Sequence, residues 1–188
     1  MKSHLLTYSD FTEEEIAQVL YHFEEKHFKK KDLVISAGQI DRYQYFISHG
    51  CVRGYIVDYN GKEHNIAFGF EEFWFGDMES FTNNTKAHYN YQALEDLTVL
   101  AISKTNWDKI SSEIPAFVEY SRNLFRNAMI FQQNRIAKHL MQTAEQRYEQ
   151  LITEHPYVLQ RISLKNIASY LGVTPEFISI LRKKAAQK

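Results

Sequence analysis

Between residues 33 and 102 the chain is cut into short runs rich in β-branched and aromatic residues: LVI at 33–35, YFI at 45–47, YIV at 55–57, IAF at 66–68, YNY at 89–91 and TVLAI at 98–102. Runs of this length cannot be amphipathic helices, and their composition suits a pleated, half-buried surface. Turn signals separate them: AGQ at 37–39, Gly50, Asn60-Gly61 and TNNT at 82–85. Many short strands at this spacing predict a small antiparallel barrel or jelly roll.

Helical periodicity flanks this block. In residues 9–26, Thr12 and Glu15 have the spacing of a capping box, and Ile16, Val19, Leu20 and Phe23 recur on one helix face. Beyond Ser103 the pattern predicts one long helix, capped by Ser111 or Ser112, entered through Pro115 and running to at least Leu140. Some 26 residues span about 39 Å at 1.5 Å per residue, more than a small barrel covers. Phe117, Leu124, Ala128 and Phe131 are therefore expected to pair with a second copy of the helix, with Val118, Phe125 and Met129 beside them; packing within one subunit is the alternative. A shorter helix follows at about 142–153, and His155-Pro156 forces a turn.

The 188 residues suffice for one large domain or a medium one carrying a small one. No stretch is apolar enough for a signal peptide or a membrane span, so a cytoplasmic protein without membrane association is expected. The single Cys51 excludes iron–sulfur or zinc ligation by four cysteines of one chain, and the eight histidines form no His-x-His or His-x-x-x-His pair. No metal site, no cofactor and no acid–base constellation is expected, which argues against an enzyme. The net charge of −1 conceals an asymmetry: from Arg135 onward there are nine Lys and Arg against four acidic residues. A basic C-terminal third behind an acidic body suits a confined polyanion site, or a solvated surface.

That third contains LKNIASYLGVTPEFISILRKK at 164–184. Ser163 can cap a helix that buries Leu164, Ile167, Ala168 and Leu171, and Gly172 supplies the positive φ needed to leave it within three residues. Thr174 caps the next helix, Pro175 occupies a position whose missing N–H costs nothing, and Glu176 lies in the first turn. Phe177, Ile178 and Leu181 supply apolar contacts. The pair reads as a helix-turn-helix whose second helix presents Glu176, Ser179, Arg182 and Lys183, with Ser163 and Thr174 facing phosphates.

A jelly roll, a long helix and a terminal helix-turn-helix in this order resemble the Crp/Fnr family of bacterial transcription regulators. The resemblance rests on YFISHGCVRGYIVDYNGKEH at 45–64, on FGDM at 75–78, and on residues 135–179, where IASYLG followed by TPE is similar to the short members found in Bacteroidetes-type bacteria. It implies an α+β chain: a cyclic-nucleotide-binding-like sensor domain at 1–113, a dimerisation helix at 114–141 and a DNA-binding domain at 142–188. It also implies a homodimer on a pseudo-palindromic promoter site, a small-molecule effector, and RNA polymerase as a further partner.

Carried over residue by residue, the sensor departs from the family pattern. The effector pocket would involve Phe75, Gly76, Asp77, Met78, Lys86, His88 and Tyr89. Asp77 replaces the glutamate that takes the ribose, and the phosphate-binding arginine is missing from Lys86-Ala87-His88-Tyr89. Lys86 lies one position early, which on a strand turns a side chain to the other face. Cyclic AMP is not expected; a pocket lined by Phe68, Phe70, Phe75, Tyr89 and Tyr91 for another effector, or a filled barrel, is. In the second helix, Ile180 stands where family members carry a guanine-reading arginine, and Arg182 follows two residues later. The alternative function is a sensor or interaction protein that binds another small ligand and does not bind DNA specifically.

Overall fold

The computed structural model describes residues 1–185. By internal contacts the chain divides into two units, one comprising Met1–Gly54 and Phe68–Phe131, the other Tyr55–Ala67 and the chain from Gln132 onward. The division therefore falls within the long helix, and it assigns one hairpin to the C-terminal unit. The sequence-based division at 113/114 and 141/142 follows elements rather than contacts.

The first unit opens with helices α1 (Lys2–Tyr8) and α2 (Glu13–Tyr21). The capping box of α2 forms as expected: the Thr12 side chain accepts from the Glu15 N–H, and the Glu15 carboxylate accepts from the Thr12 N–H. Eight strands follow: β1 (Glu24–Phe28), β2 (Leu33–Ile35), β3 (Tyr43–His49), β4 (Val52–Val57), β5 (Glu63–Gly69), β6 (Trp74–Phe75), β7 (Asn90–Ala93) and β8 (Leu97–Ser103). They form two four-stranded sheets, ordered β1-β8-β3-β6 and β2-β7-β4-β5, with a short helix α3 (Met78–Asn83) after β6.

Alternation along the strands builds two cores. On β8, Leu97, Val99 and Ala101 join Ile35, Tyr45, Ile47 and Phe75 between the sheets. Ile102 instead faces the helical layer with Leu5, Val19, Trp107, Ile110 and Phe117. On β3, Tyr45 and Ile47 point inward, whereas the Phe46 ring meets His4 and Trp74 on the other face. This is the period of two expected of a sheet covered on both sides.

Several local expectations are corrected. The helix expected over 9–26 is α2, which ends at Tyr21, because residues 24–28 pair with β8 in the register Glu24↔Ala101 to Phe28↔Leu97. Ser111 and Ser112 do not cap the long helix. They sit inside α4 (Lys104–Glu113), where their hydroxyls donate back to the carbonyls of Trp107 and Lys109, and Ser103 caps that helix through the Asn106 N–H. The long helix α5 (Pro115–Met141) starts at Pro115 as expected. Helices α6 (Ala144–Glu154), α7 (Val158–Arg161), α8 (Leu164–Leu171) and α9 (Pro175–Ala185) follow among the described residues. Among the described residues, no helix is long and apolar enough to cross a membrane.

Candidate functional site

Local chemistry shapes the C-terminal helices. Thr143 and Gln146 form a second capping box at the start of α6. Tyr148, Val158, Ile162, Ile167, Leu171 and Ile178 are buried and form the interior of the bundle. The Arg147 guanidinium donates to the carbonyl of Gln142 at 2.6 Å and to that of Leu171 at 3.1 Å, capping the end of α8 from α6.

Ser163 accepts the Asn166 N–H at 3.3 Å and so starts α8. The helix is closed at Gly172, whose φ of 72° is the left-handed conformation that favours glycine. The Gly172 N–H donates to the Ser169 carbonyl and the Val173 N–H to the Ala168 carbonyl, the pairing of a Schellman motif. Two residues later Thr174 accepts the Phe177 N–H at 3.3 Å, and Pro175 begins α9.

Ile178 and Leu181 turn into the bundle, while Glu176, Ser179, Ile180, Arg182 and Lys183 are exposed. Ile180, 54% exposed, is thereby removed from the core, and Phe177 at 37% lies at its edge rather than within it. The residues expected to meet DNA, Ser163, Thr174, Pro175, Glu176, Ser179, Arg182 and Lys183, thus bracket the starts of two helices and line the open face of the second. Helix starts carry unpaired N–H groups and a partial positive charge, and they suit phosphate oxygens. The open face of α9 offers one carboxylate, one hydroxyl and two cations for base edges or backbone.

In the barrel the residues expected to form an effector pocket go different ways. The Asp77 carboxylate is fully buried and caps α3: one oxygen accepts the Ser80 N–H at 3.0 Å, the other the N–H groups of His88 at 2.7 Å and Tyr89 at 3.2 Å. Gly76 lies against the Gln44 side chain, where a Cβ would collide with its amide. Phe75 points inward and stacks on Tyr45 at 5.1 Å between centroids, with Tyr91 also at 5.1 Å. Met78, Lys86, His88 and Tyr89 are exposed, and His88 pairs with Glu79 at 3.3 Å. The position of the missing arginine, Ala87, is buried.

Beneath α3 lies a residue that the sequence pattern does not mark. Asp41 is buried, and its Oδ1 accepts from the Tyr45 hydroxyl at 3.1 Å and the Tyr43 N–H at 3.3 Å. Its Oδ2 and the Gln44 amide nitrogen make no hydrogen bond of good geometry. Burial pushes the Asp41 carboxyl up to about 6, against the opposing pull of the N–H and hydroxyl groups of Tyr43 and Tyr45 and the nearby Asp77 N–H. Burial, followed by the charge of Asp77, pushes Tyr91 up to about 12. Among the described residues no group of three or more His, Cys, Asp or Glu side chains is placed to hold a metal ion.

On α5 the four residues expected to pair with a second copy divide between the core and the surface. Phe117 is fully buried in the helical layer and Leu124 packs against it, whereas Val118, Phe125 and Met129 are exposed, as are Ala128 and Phe131. One residue turns a helix by about 100°, so the stripe of Phe117 and Leu124 belongs to the subunit's own core.

Residues 25–113 match the family pattern of the cyclic nucleotide-binding domain. The catabolite activator protein of Thermus thermophilus superposes with a TM-score of 0.62 at 18% identity, over 98% of this chain and 87% of that one. The c-di-GMP responsive global regulator CLP of Xanthomonas campestris gives 0.75 at 12%, over 94% and 92%. FixK2 of Bradyrhizobium japonicum gives 0.71 at 21%, over 88% and 85%. This is the Crp/Fnr fold. No curated protein sequence matches the chain. Within the Crp/Fnr fold, the barrel segment that matches the cyclic nucleotide-binding domain contains both Asp77 and the buried Ala87, and the helix-turn-helix lies beyond it.

Proposed function

We propose that the chain is a homodimeric, sequence-specific DNA-binding transcription regulator, not an enzyme, whose barrel does not take cyclic AMP. The open face of α9 carries this reading: Glu176, Ser179, Arg182 and Lys183 are exposed on a helix whose opposite side is locked by Ile178 and Leu181. An α-helix presented in this way fits a major groove, with Ser163 and Thr174 at helix starts toward the flanking phosphates. Two copies would place two such helices in successive major grooves, about 34 Å apart. Pairing through α5 uses the exposed stripe Val118, Phe125, Met129 and Ile136, whose spacing of seven and four residues is that of a coiled-coil seam.

The barrel supports the second half of the proposal. A cyclic phosphate needs a cation and free N–H donors, but Ala87 offers no charge, and the N–H groups of His88 and Tyr89 are held by the Asp77 carboxylate. Selection from a pool of random duplexes tests DNA recognition: the full chain should enrich one pseudo-palindromic sequence and bind it at least about a thousandfold more tightly than random DNA, with steep salt dependence. Enrichment of no sequence sinks the reading. For the dimer, Met129→Asp should yield a monomer by sedimentation, with the barrel's tryptophan fluorescence unchanged. A variant that stays dimeric excludes this seam.

A further inference from the structure

The outer part of the hairpin of β4 and β5, Tyr55–Ala67, is part of the same compact unit as the helix-turn-helix, and hydrogen bonds join the two. Asn65 on β5 is 4% exposed. Its backbone N–H donates to the Ser169 hydroxyl at 3.0 Å, and its side-chain amide donates to the Asn166 carbonyl at 3.0 Å and to the Asn166 side-chain oxygen at 3.3 Å. The Ser169 hydroxyl in turn donates to the Glu63 carbonyl at 3.2 Å. Next to this pair, Arg135 of α5 donates to the Ile66 carbonyl and stacks 4.8 Å over the Tyr170 ring. Three side chains of α8 in succession along one side, Asn166, Ser169 and Tyr170, are thus engaged by β5 or by a residue that β5 holds.

Helix α8 therefore has two occupied faces. Ile167, Ala168 and Leu171 are buried in the bundle that also takes Ile178 and Leu181 of α9, and Asn166 and Ser169 hold the hairpin. The reading face of α9 is left open. A latch that sets α8 without covering α9 prepares the recognition helix instead of blocking it. We propose that residues 63–66 of β5 orient the helix-turn-helix for DNA, with Asn65 and Ser169 as positioning residues. The inference rests on the DNA-binding reading given above. Setting α8 in advance lowers the ordering cost of binding, because α9 follows α8 through the Gly172 turn as one packed body.

The test uses the full chain and the duplex that wild type selects. Asn65→Ala and Ser169→Ala should each bind that duplex about tenfold more weakly, the worth of one well-made hydrogen bond, with affinity for random DNA unchanged. Ser169→Thr retains the hydroxyl and should bind as wild type does. Hydrogen exchange without DNA separates positioning from general damage: α8 amides should lose protection in Ser169→Ala while those of β3 and β8 keep theirs. Variants that bind the selected duplex as tightly as wild type, or more tightly, overturn the positioning role alone. A wild-type chain that selects no sequence overturns the regulator reading and this role with it.

Discussion

The Asp77 cluster and the face of α9 are both built from polar side chains on a helix, yet the one is turned inward and the other outward. In the barrel every contact is turned inward: Asp77 accepts three backbone N–H groups and the Ser80 hydroxyl lies between Asp41 and Thr85. On α9 Thr174 supplies the cap and the Ser179 hydroxyl donates to the Pro175 carbonyl at 3.0 Å, while the side chains of Glu176, Arg182 and Lys183 are exposed. A polar group already satisfied by its own chain has little left to offer a ligand, since binding must first break what it has. Polar side chains thus make a staple in one unit and an open surface in the other.

The largest effect that tests this contrast is expected at Asp77. Asp77→Ala removes the cap of α3 and leaves the N–H groups of His88 and Tyr89 without their acceptor. One cap is worth about 1 kcal/mol, and each buried N–H left unpaired costs about 1–3 kcal/mol. A loss of roughly 3–7 kcal/mol is expected in urea unfolding followed by the fluorescence of Trp74 and Trp107, with a smaller loss in Asp77→Asn. An unchanged midpoint would show that the carboxylate is free for a ligand, and the contrast would fail.

Asp41 gives the next effect, and its sign is opposite to that of most carboxylates. Its proton affinity is higher in the folded chain than in the unfolded one, because burial penalises the charged form. Between the ordinary carboxylate range and about 6 the folded state therefore binds more protons, and stability falls as pH rises through this window. At about 1.4 kcal/mol per tenfold change in proton affinity, the loss by neutral pH is of the order of 3 kcal/mol. Asp41→Asn, uncharged at every pH, should flatten that slope and raise stability at pH 7. Parallel stability–pH curves for variant and wild type would show that the carboxyl titrates at its ordinary value.

Where the sequence is readable, the cause is local. The capping box at Thr12 and Glu15, the glycine turn at Gly172 and the cap at Thr174 each involve residues within four positions, and each forms as expected. Where it misleads, the deciding partner is distant. The charged run at 24–28 becomes a strand only because β8 lies beside it, some seventy residues on. The apolar surface of α5 is so broad that periodicity does not fix which stripe faces inward; the packing of Phe117 against Trp107 does, and it turns Phe117 and Leu124 inward while Ala128 and Phe131 stay exposed. Asp77 holds the glutamate's place in the motif, but its acceptor role is set by N–H groups eleven and twelve residues later. Asn65 and Ser169, more than a hundred positions apart, leave no mark in the sequence at all.

The smallest effect concerns the open face itself. Arg182 is exposed, near enough to Tyr148 for its charge to oppose the upward push of burial on that phenol, so it stands at the edge of the bundle with its guanidinium available. Arg182→Ala should weaken binding to the selected duplex by about 1–3 kcal/mol if the guanidinium grips a base edge, with relaxed preference at a single base pair. Lys183→Ala should instead weaken selected and random duplexes alike and reduce the salt slope by about one. The pair of variants separates reading from holding on adjacent residues, measured by quantitative gel shift across a set of single-base changes. Equal, sequence-independent losses in both would place Arg182 on phosphate, leaving Glu176, Ser179 and Ile180 to distinguish bases. That outcome would fit Ile180, whose exposed side chain can meet a thymine methyl group where a guanidinium would seek guanine.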